Sequence, residues 1–553
     1  MKQRKYPNLL CFLEEKTAGM KNNVALGLNT KVGWKELTFG GISFLSKNLA
    51  SYLIEKGVNK GDKISIISES NPEWAAVLFA SVLSGSTLVP IDIKLTIHEI
   101  TSILSNCNPK VLIVSNKFIN FAKILKEQIE SIEEVIVINE TSINRDYKSI
   151  YELENSQRKR WRHRGLNKTA LIIYTSGTTG NPKGVEITYK NMLSQVNGIS
   201  RCFPLKKEEK LLSILPMNHL FELSVGFLTF LNLGITIYYP QNLKPDHIFY
   251  ILKEKKISFM VVVPAFLKLI KTEIEADLKK RSDLYRMLFD IKYNLAKYIP
   301  FSFLRRLLFH NITSKLGGHF KGCISGGAPL DLKVAEFINR IGINIYEGYG
   351  LSEASPVVSM STKKYNKQGY VGKAIDGVSI KIDKDTKELL VKGDNVMKGY
   401  YLQPDLTSEV INEDGWLHTG DIAEITKDGY LKITGRIKNM IVLSGGKKVF
   451  PEEIEAVLEK SPFIKEACVF GSVRKGGQKD GTEYVTAVIV PTPDVLEKGE
   501  ESAEKHIKAE VKQMSQRLAS YKRPTQIIIY KEPLPRTATS KIKRKEIKNS
   551  LCC

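Results

Sequence analysis

Amphipathic helical segments alternate with short, uniformly apolar segments along residues 34–150. Apolar residues recur at helical spacing over 37–56 and 73–84, whereas short apolar runs rich in β-branched residues indicate buried strands. We predict strands of this kind at 63–67, 87–91, 110–114, 135–139, 235–239 and 259–263. Strands that alternate with helices favour an α/β domain with a mainly parallel sheet.

A different pattern begins after a predicted strand at 430–434. Helices are predicted at 454–458 and 502–518, and strands at 467–473, 483–490 and 525–530. This order of elements is typical of a small α+β domain. We therefore predict two domains: a large N-terminal domain of α/β subdomains, residues 1–435, and a small C-terminal α+β domain, residues 436–553.

The charge of the chain is strongly positive. Its 82 Lys and Arg residues exceed its 59 Asp and Glu residues by 23. Such an excess favours an anionic partner, for example nucleic acid, an acidic membrane surface or phosphorylated metabolites, although an AT-rich genome produces a similar composition. The basic residues are dispersed and no nucleic-acid-binding motif occurs, so we expect no nucleic-acid partner.

One basic segment is also amphipathic. Residues 279–321 contain ten Lys or Arg and only two Asp, a net charge of +8, interleaved with large apolar residues. A segment of this kind lies on an anionic membrane or covers a lipophilic pocket, or else it is a solvated helix pair on the domain surface. The sequence leaves these interpretations open.

The cysteines and the apolar stretches indicate in which cellular compartment the protein is located. The seven cysteines form no CxxC pair, which favours a reducing environment. The N-terminus reaches acidic residues before any long apolar segment, so it is not a signal peptide. The longest apolar stretches, 74–83 and 226–239, are shorter than the about 18–20 residues of a spanning helix. We expect a cytoplasmic protein whose membrane contact, if any, is peripheral and at the inner face of the membrane.

A Ser-, Thr- and Gly-rich loop follows an apolar strand in 169-TALIIYTSGTTGNPKGVEIT-188. Glycines let consecutive backbone N–H groups converge on an anion, and hydroxyl groups add further donors. Lys183 adds a positive charge, and neither a Walker A nor a GxGxxG motif is present. The pattern predicts a polyphosphate-binding loop, with the candidate ligands Thr175, Ser176, Gly177, Thr178, Thr179 and Gly180.

This loop resembles the phosphate loop of the adenylate-forming superfamily, which includes acyl-CoA synthetases, luciferases and the adenylation domains of peptide synthetases. Other segments resemble further family motifs in the same order. The segment 214-ILPMNHLFELSVGF-227 resembles the fourth core motif and implies that His219 borders the carboxylate and acyl pocket. Taken alone, His219 fits a core histidine better. The segment 324-ISGGAPL-330 resembles the adenine-binding segment and implies contacts from Gly326, Gly327 and Ala328.

The segment 346-YEGYGLSEASP-356 resembles the fifth motif. The resemblance implies that Tyr349 stacks on adenine, that Ser352 binds phosphate, and that Glu353 holds Mg²⁺ with a loop hydroxyl such as that of Thr175. One carboxylate suits Mg²⁺, which prefers phosphate oxygens and water to an all-protein cage. Ser352 replaces the usual Thr and keeps the hydroxyl. The resemblance also implies nucleotide contacts from Glu347, Gly348 and Gly350.

Three more resemblances lie in the last third of the chain. The segment 393-GDNVMKGYYLQPDLTSEVINEDGWLHTGD-421 implies that Asp421 accepts from the ribose hydroxyls. The segment 435-GRIKNMIVLSGGKKVFPEEIE-455 implies a ribose contact from Arg436 and a hinge at Lys438. It also implies a path for pantetheine along Gly445 and Gly446. The segment 535-PRTATSKIKRKEI-547 implies that Lys541 is the catalytic lysine, although Ser540 stands where the family usually has Gly.

The resemblance covers residues 34–547 and implies an acyl-CoA synthetase-like fold with a mobile small domain. It implies that ATP and Mg²⁺ activate a fatty acid to acyl-AMP, which CoA converts to a thioester with release of AMP and pyrophosphate. Lys541, Glu353, His219 and Lys183 are the implied catalytic residues.

The acid and the acceptor stay open. The wording of the motifs favours a long-chain fatty acid, but 433-ITGRIKN-439 departs from the form frequent in long-chain members. An acyl carrier protein is the alternative acceptor to CoA. A non-catalytic binder of fatty acid or nucleotide predicts the loss of Lys541, Glu353 or the phosphate loop, and all three are present.

Overall fold

A computed structural model describes most of the chain. The described residues are 8–139, 147–154, 161–162, 164–175, 183–203, 205–443, 447–473, 483–497, 499–536 and 542–551. The chain divides into two compact units. The first contains Met1–Ile380 and Val391–Leu417, and the second contains Lys381–Leu390 and His418–Cys553.

Two large sheets form the framework of the first unit. In spatial order, the nine-stranded sheet contains Lys373–Ala374, Val357–Met360, Asn344–Gly350, Gly322–Ser325, Phe259–Val262, Lys210–Ser213, Thr236–Tyr239, Val24–Thr30 and Gly33–Thr38. The eight-stranded sheet contains Gly399–Tyr400, Lys183–Thr188, Thr169–Thr175, Thr87–Ile91, Lys63–Ile67, Val111–Val114, Glu134–Val137 and Lys148–Ser149. Inner neighbours pair in parallel, and antiparallel pairs occur towards the edges. This confirms the predicted α/β class with mainly parallel sheets.

Helices cover these sheets because the apolar faces of the sheets and of the helices must be removed from water. The α-helices of the first unit are Leu9–Met20, Phe39–Glu55, Glu73–Ser84, Ile97–Cys107, Ile119–Gln128, Tyr189–Ser200, Phe230–Leu233, Pro245–Glu254, Pro264–Lys279, Asp283–Ala296, Ser302–Leu308, His310–Thr313, Leu332–Arg340 and Pro404–Val410. A π-helix spans Glu222–Thr229, and 3₁₀ turns span Asn116–Phe118, Ile150–Glu152 and Ser352–Ala354.

Local sequence explains where several of these helices begin and end. Every residue of Glu73–Ser84 is buried, which matches a composition that is mainly apolar after Glu73. Gly85 ends this helix with φ of +73°, and a Cβ there would lie 2.4 Å from the carbonyl oxygen of Arg162. Thr96 and Glu99 form a capping box that starts the helix Ile97–Cys107.

The second unit contains most of a four-stranded sheet, a two-stranded sheet and a three-stranded sheet. Their strands are Val378–Ile382, Glu388–Gly393, Leu417–Ile425 and Leu431–Arg436; Ile441–Val442 and Lys448–Val449; and Ile464–Val473, Glu483–Pro491 and Gln526–Ile529. Its α-helices are Pro451–Leu458, Pro493–Leu496, Glu500–Ser515 and Arg544–Leu551, and 3₁₀ turns span Ile437–Asn439 and Ser520–Lys522. The mixture confirms the predicted separate α+β unit, whereas a boundary at 435–436 and a hinge at Lys438 stay predictions.

Most predicted elements occur within a few residues of their expected bounds. Lys63–Ile67, Glu73–Ser84 and Thr87–Ile91 have the predicted limits. The helix predicted at 37–56 begins at Phe39, because Gly33–Thr38 is an edge strand and the Thr38 hydroxyl accepts from the Gly41 N–H. Within the described part of the chain, we find no helix that is both long and apolar enough to cross a membrane.

Candidate active site

The predicted phosphate loop connects two paired strands. Thr169–Thr175 and Lys183–Thr188 are antiparallel neighbours, and their register places Thr175 opposite Lys183. Five candidate ligands, residues 176–180, lie outside the described residues. The pairing brings the two ends of the predicted loop together. Because residues directly opposite each other in an antiparallel pair share a face, the side chains of Thr175 and Lys183 lie on the same face of the sheet.

A tyrosine connects Lys183 with the predicted magnesium ligand. Tyr400 lies on the strand Gly399–Tyr400, which pairs with Lys183–Thr188. Its hydroxyl donates a 2.9 Å hydrogen bond to Oε1 of Glu353, and Nζ of Lys183 lies 5.2 Å from the centre of its ring. Burial and the Glu353 carboxylate raise the pKa of Tyr400 above its ordinary value, so the hydroxyl stays a donor near neutral pH.

Tyr400 lies within the 393–421 motif but was not predicted from the sequence, which singled out only Asp421 in that motif. The two adjacent tyrosines after Gly399, Tyr400 and Tyr401, could have indicated a hydrogen bond at this site, since a buried tyrosine usually needs a partner for its hydroxyl.

Backbone contacts fix the segment that carries Glu353. The Met397 N–H donates to the Glu353 carbonyl at 2.8 Å. Gly350 leaves room for the turn, because a Cβ at this position would lie 1.9 Å from the carbonyl oxygen of Pro356. These contacts hold the backbone around Glu353 and leave its carboxylate available, and Oε1 of that carboxylate accepts from Tyr400.

The donor set of Glu353 fits the predicted Mg²⁺. A carboxylate supplies the hard oxygen that Mg²⁺ prefers, and the nucleotide's phosphates and water supply the rest of its coordination shell. Across the described ranges, no group of three or more His, Cys, Asp or Glu residues could hold a metal ion by itself. Glu353 and Thr175 stay the predicted protein ligands.

The two predicted adenine-binding segments are neighbours. Gly322–Ser325 pairs in parallel with Asn344–Gly350, and Ser325 lies opposite Glu347. Gly326, Gly327 and Ala328 follow the first strand, and Glu347, Gly348, Tyr349 and Gly350 end the second. The carboxyl edge of a parallel sheet is where open α/β folds bind ligands. Burial raises the pKa of Glu347 to about 7, so this carboxyl is partly protonated at neutral pH.

The segment that contains His219 reaches the same sheet edge. A Cβ on Gly326 would lie 2.9 Å from the ring of Phe221, which shows how closely the two segments pack. His219 Nε2 lies 3.7 Å from Oδ2 of Asp92, an acidic neighbour that the sequence analysis did not identify. His219 and Asp92 are both partly accessible, so the interpretation as a fully enclosed core histidine does not fit.

A buried carboxyl lies three residues after His219. Glu222 is completely buried, and Ser213 Oγ donates a 2.6 Å hydrogen bond to its Oε1. Burial raises the pKa of Glu222 to about 8. Gly226 makes space for this carboxyl inside the π-helix, because a Cβ there would lie 2.2 Å from Oε1. No periodic pattern in the sequence indicates this arrangement.

In the second unit, the two predicted ribose contacts lie beside each other. The register of Leu417–Ile425 and Leu431–Arg436 places Asp421 opposite Arg436, and Arg436 Nε lies 2.6 Å from Asp421 Oδ1. Asp421 is 1% exposed. Glu388 supports the same strand by accepting from the Gly420 N–H at 2.7 Å. The arrangement offers a planar guanidinium and a carboxylate on one strand pair.

The remaining predicted residues of this unit are only partly described. Lys438 is exposed in the turn Ile437–Asn439. Gly445, Gly446 and Lys541 lie outside the described residues. The segment before and the segment after Lys541 are joined by a bridge between Arg536 and Ile542, and the Lys543 N–H donates to the Pro535 carbonyl at 2.8 Å.

The helix that follows Lys541 is held by a partly buried ion pair. Arg544 Nη2 lies 2.6 and 2.7 Å from the two carboxylate oxygens of Glu455. Glu455 also accepts from the Val469 N–H at 2.7 Å, so it links Arg544–Leu551 to the three-stranded sheet. Both bonds come from Nη2, so one guanidinium nitrogen donates to both oxygens of the carboxylate.

Comparison with known proteins supports the motif interpretation. Residues 13–401 match the family described as AMP-binding enzyme, and residues 438–551 match the AMP-binding enzyme C-terminal domain. A long-chain-fatty-acid–CoA ligase, FadD15 of Mycobacterium bovis, is 30% identical over 485 residues, which are 84% of this chain and 78% of that protein. The indoleacetate–CoA ligase of Aromatoleum aromaticum is 27% identical over 527 residues, 93% of each chain.

A solved structure has the same fold. It is the o-succinylbenzoate coenzyme A synthetase of Bacillus subtilis in complex with ATP and magnesium, with a TM-score of 0.74, 23% identity, and coverage of 97% of this chain and 99% of that one. The large-domain match precedes the C-terminal-domain match along the chain, as expected, and together they span most of its length. The chain therefore belongs to the AMP-binding enzymes, the adenylate-forming family that its motifs resemble.

Proposed function

We propose that this protein is an ATP-dependent acid–CoA ligase that activates a long-chain fatty acid. The observation that carries the proposal is the connection from Lys183 through Tyr400 to Glu353, beside the predicted phosphate loop. Membership of the AMP-binding family and the similarity to FadD15 support the same reaction.

In the first step, a carboxylate oxygen attacks the α-phosphorus of ATP, and the bond to the leaving pyrophosphate breaks. Both reactants are anions, so the site must offset their repulsion and hold them in line. Lys183 supplies positive charge at the base of the predicted loop, and Lys541 is the second cation in this proposal. Bound Mg²⁺ would further neutralise the phosphates. Glu353 is the carboxylate that would hold it, and Tyr400 fixes the direction of that carboxylate.

In the second step, the CoA sulfur attacks the acyl carbon of acyl-AMP and AMP leaves. The thiol proton passes to solvent or to a base. Gly445 and Gly446 are the proposed path for pantetheine, and Lys438 is the proposed hinge. The long-chain specificity rests on the motif wording and on FadD15, while the indoleacetate–CoA ligase shows that similar proteins use other acids.

The test is pyrophosphate release with ATP and Mg²⁺ across saturated fatty acids of increasing length, with and without CoA. Indoleacetate, anthranilate and o-succinylbenzoate serve as competing acids, and mass spectrometry identifies the thioester. We expect CoA-dependent turnover that is greatest with long chains. A maximum with an aromatic acid would overturn the substrate, and acyl-AMP that only an acyl carrier protein consumes would overturn the acceptor.

A further inference from the structure

The helix Asp283–Ala296 has two apolar faces. On the inner face, Phe289, Tyr293 and Ala296 pack against the core of the first unit. The ring centre of Phe289 lies 5.5 Å from that of Phe309, and the ring centre of Tyr293 lies 5.8 Å from that of Phe337. These contacts attach the helix to the core of the first unit through one face.

The outer face is also apolar. Leu284, Leu288, Ile291 and Leu295 are spaced four, three and four residues apart, so they form one stripe along the helix. All four are exposed, with Leu284 at 63% and Leu295 at 55%. A helix on the surface of a globular protein normally has polar residues opposite its core face. Here leucine and isoleucine occupy those positions.

Exposed apolar residues continue into the next helix. Tyr298 is 78% exposed, and Phe301, Phe303 and Leu307 are exposed as well. The helices Asp283–Ala296 and Ser302–Leu308 contact each other. We call the exposed apolar side chains from Leu284 to Leu307 the outer apolar surface. A concentration of this kind marks a site of interaction with a protein or a membrane, whereas single exposed apolar residues do not.

The surroundings of this surface are strongly cationic. Residues 279–321 have a net charge of +8. Within the described structure, Lys279, Lys280, Lys292 and Lys297 have no carboxylate within 4.0 Å. Arg286 is paired with Asp283 on the same helix. The unpaired lysines can therefore meet an external anion without first breaking an ion pair.

We propose that the outer apolar surface docks this protein on an anionic lipid bilayer. An apolar helix face bordered by lysines fits the interfacial region of a bilayer. There, apolar side chains contact the acyl chains while lysine ammonium groups contact anionic headgroups. A second copy of this chain is a poor occupant, because it would bring two segments of charge +8 together. This inference goes beyond the proposed ligase activity and does not depend on the identity of the acid.

The experiment is flotation of the full-length protein with phosphatidylcholine vesicles, prepared with and without phosphatidylglycerol. We expect flotation that requires phosphatidylglycerol and decreases as salt is raised, because salt screens charge. The variant Leu284→Glu/Ile291→Glu should partition at least about tenfold less. The variant Lys292→Gln/Lys297→Gln should lose about fivefold for each lysine, since each contributes one charge near the surface.

The matched control is Val32→Glu/Leu243→Glu, which makes the same changes at two other exposed apolar residues, 98% and 61% exposed. It should float like the wild type. The proposal is wrong if the wild type floats equally with and without phosphatidylglycerol, or if Leu284→Glu/Ile291→Glu floats as much as the wild type. It is also wrong if the wild type is a dimer without lipid and that variant is a monomer in sedimentation velocity.

Thermal melting identifies any variant that fails to fold, in which case the lysine variant and the salt series decide. Flotation uses neither ATP nor an acid, so its failure and a failure of the ligase assignment are distinguishable.

Discussion

Replacement of Tyr400 by Phe tests the connection between Lys183 and Glu353. The change removes the hydroxyl that donates to Glu353 Oε1 at 2.9 Å but keeps the ring that lies 5.2 Å from Lys183 Nζ. It therefore separates the hydrogen bond from the packing of the ring. We expect slower adenylate formation. The value of kcat/KM for ATP should decrease, and the Mg²⁺ concentration needed for half-maximal activity should increase.

The size of the effect follows from the chemistry of the bond. A hydrogen bond to a charged group contributes about 1.5–3 kcal/mol. Since about 1.4 kcal/mol corresponds to a factor of ten, complete loss would slow the step by about ten- to about a hundredfold. Glu353 is only partly buried, so water can replace the missing donor. We therefore expect the lower end, about tenfold.

The assay is ATP–pyrophosphate exchange with a saturating acid over a range of Mg²⁺ concentrations. Tyr401→Phe is the matched control, because it removes the hydroxyl of the adjacent tyrosine, for which the described structure shows no hydrogen bond. Exchange by Tyr400→Phe within about twofold of both the wild type and this control, at every Mg²⁺ concentration, would refute the positioning role of Tyr400.

Three other predictions address the rest of the chain. Lys541→Ala should abolish acyl-AMP formation yet still convert supplied acyl-AMP and CoA to thioester; wild-type adenylation by this variant would remove Lys541 from the mechanism. Glu222→Gln should raise Tm relative to the wild type by an amount that grows from pH 5 to pH 8. The reason is that burial in the fold raises the pKa of Glu222 to about 8. The free energy of unfolding of the wild type therefore decreases as the pH rises from the pKa that Glu222 has in the unfolded chain towards 8. A pH-independent difference would contradict this burial argument. Arg544→Ala should destabilise the second unit by about 1.5–3 kcal/mol in urea unfolding, because it removes the charged hydrogen bonds that Nη2 donates to the partly buried Glu455 carboxylate. Lys548→Ala on the same helix is the control, and equal effects of the two variants would show that the pair is unimportant.

The sequence determined the features that depend on neighbouring residues. The strands Lys63–Ile67 and Thr87–Ile91 and the helix Glu73–Ser84 follow from continuous apolar runs, because such runs are stable only when buried. The phosphate-loop and fifth-motif segments were recognisable because their glycines, hydroxyls and carboxylate are close together along the chain. For the same reason, the family could be identified before any contact was known.

Tertiary structure decided which of these residues meet. Glu353 and its partner Tyr400 are 47 residues apart, and Lys183 reaches the same tyrosine only because two distant strands are paired in one sheet. No local pattern records that register. Likewise, the amphipathic composition of 279–321 left three interpretations open, because only the packing of Phe289 and Tyr293 shows which face of the helix is buried. Local sequence fixes which elements form, whereas long-range burial and strand pairing decide which side chains share an environment.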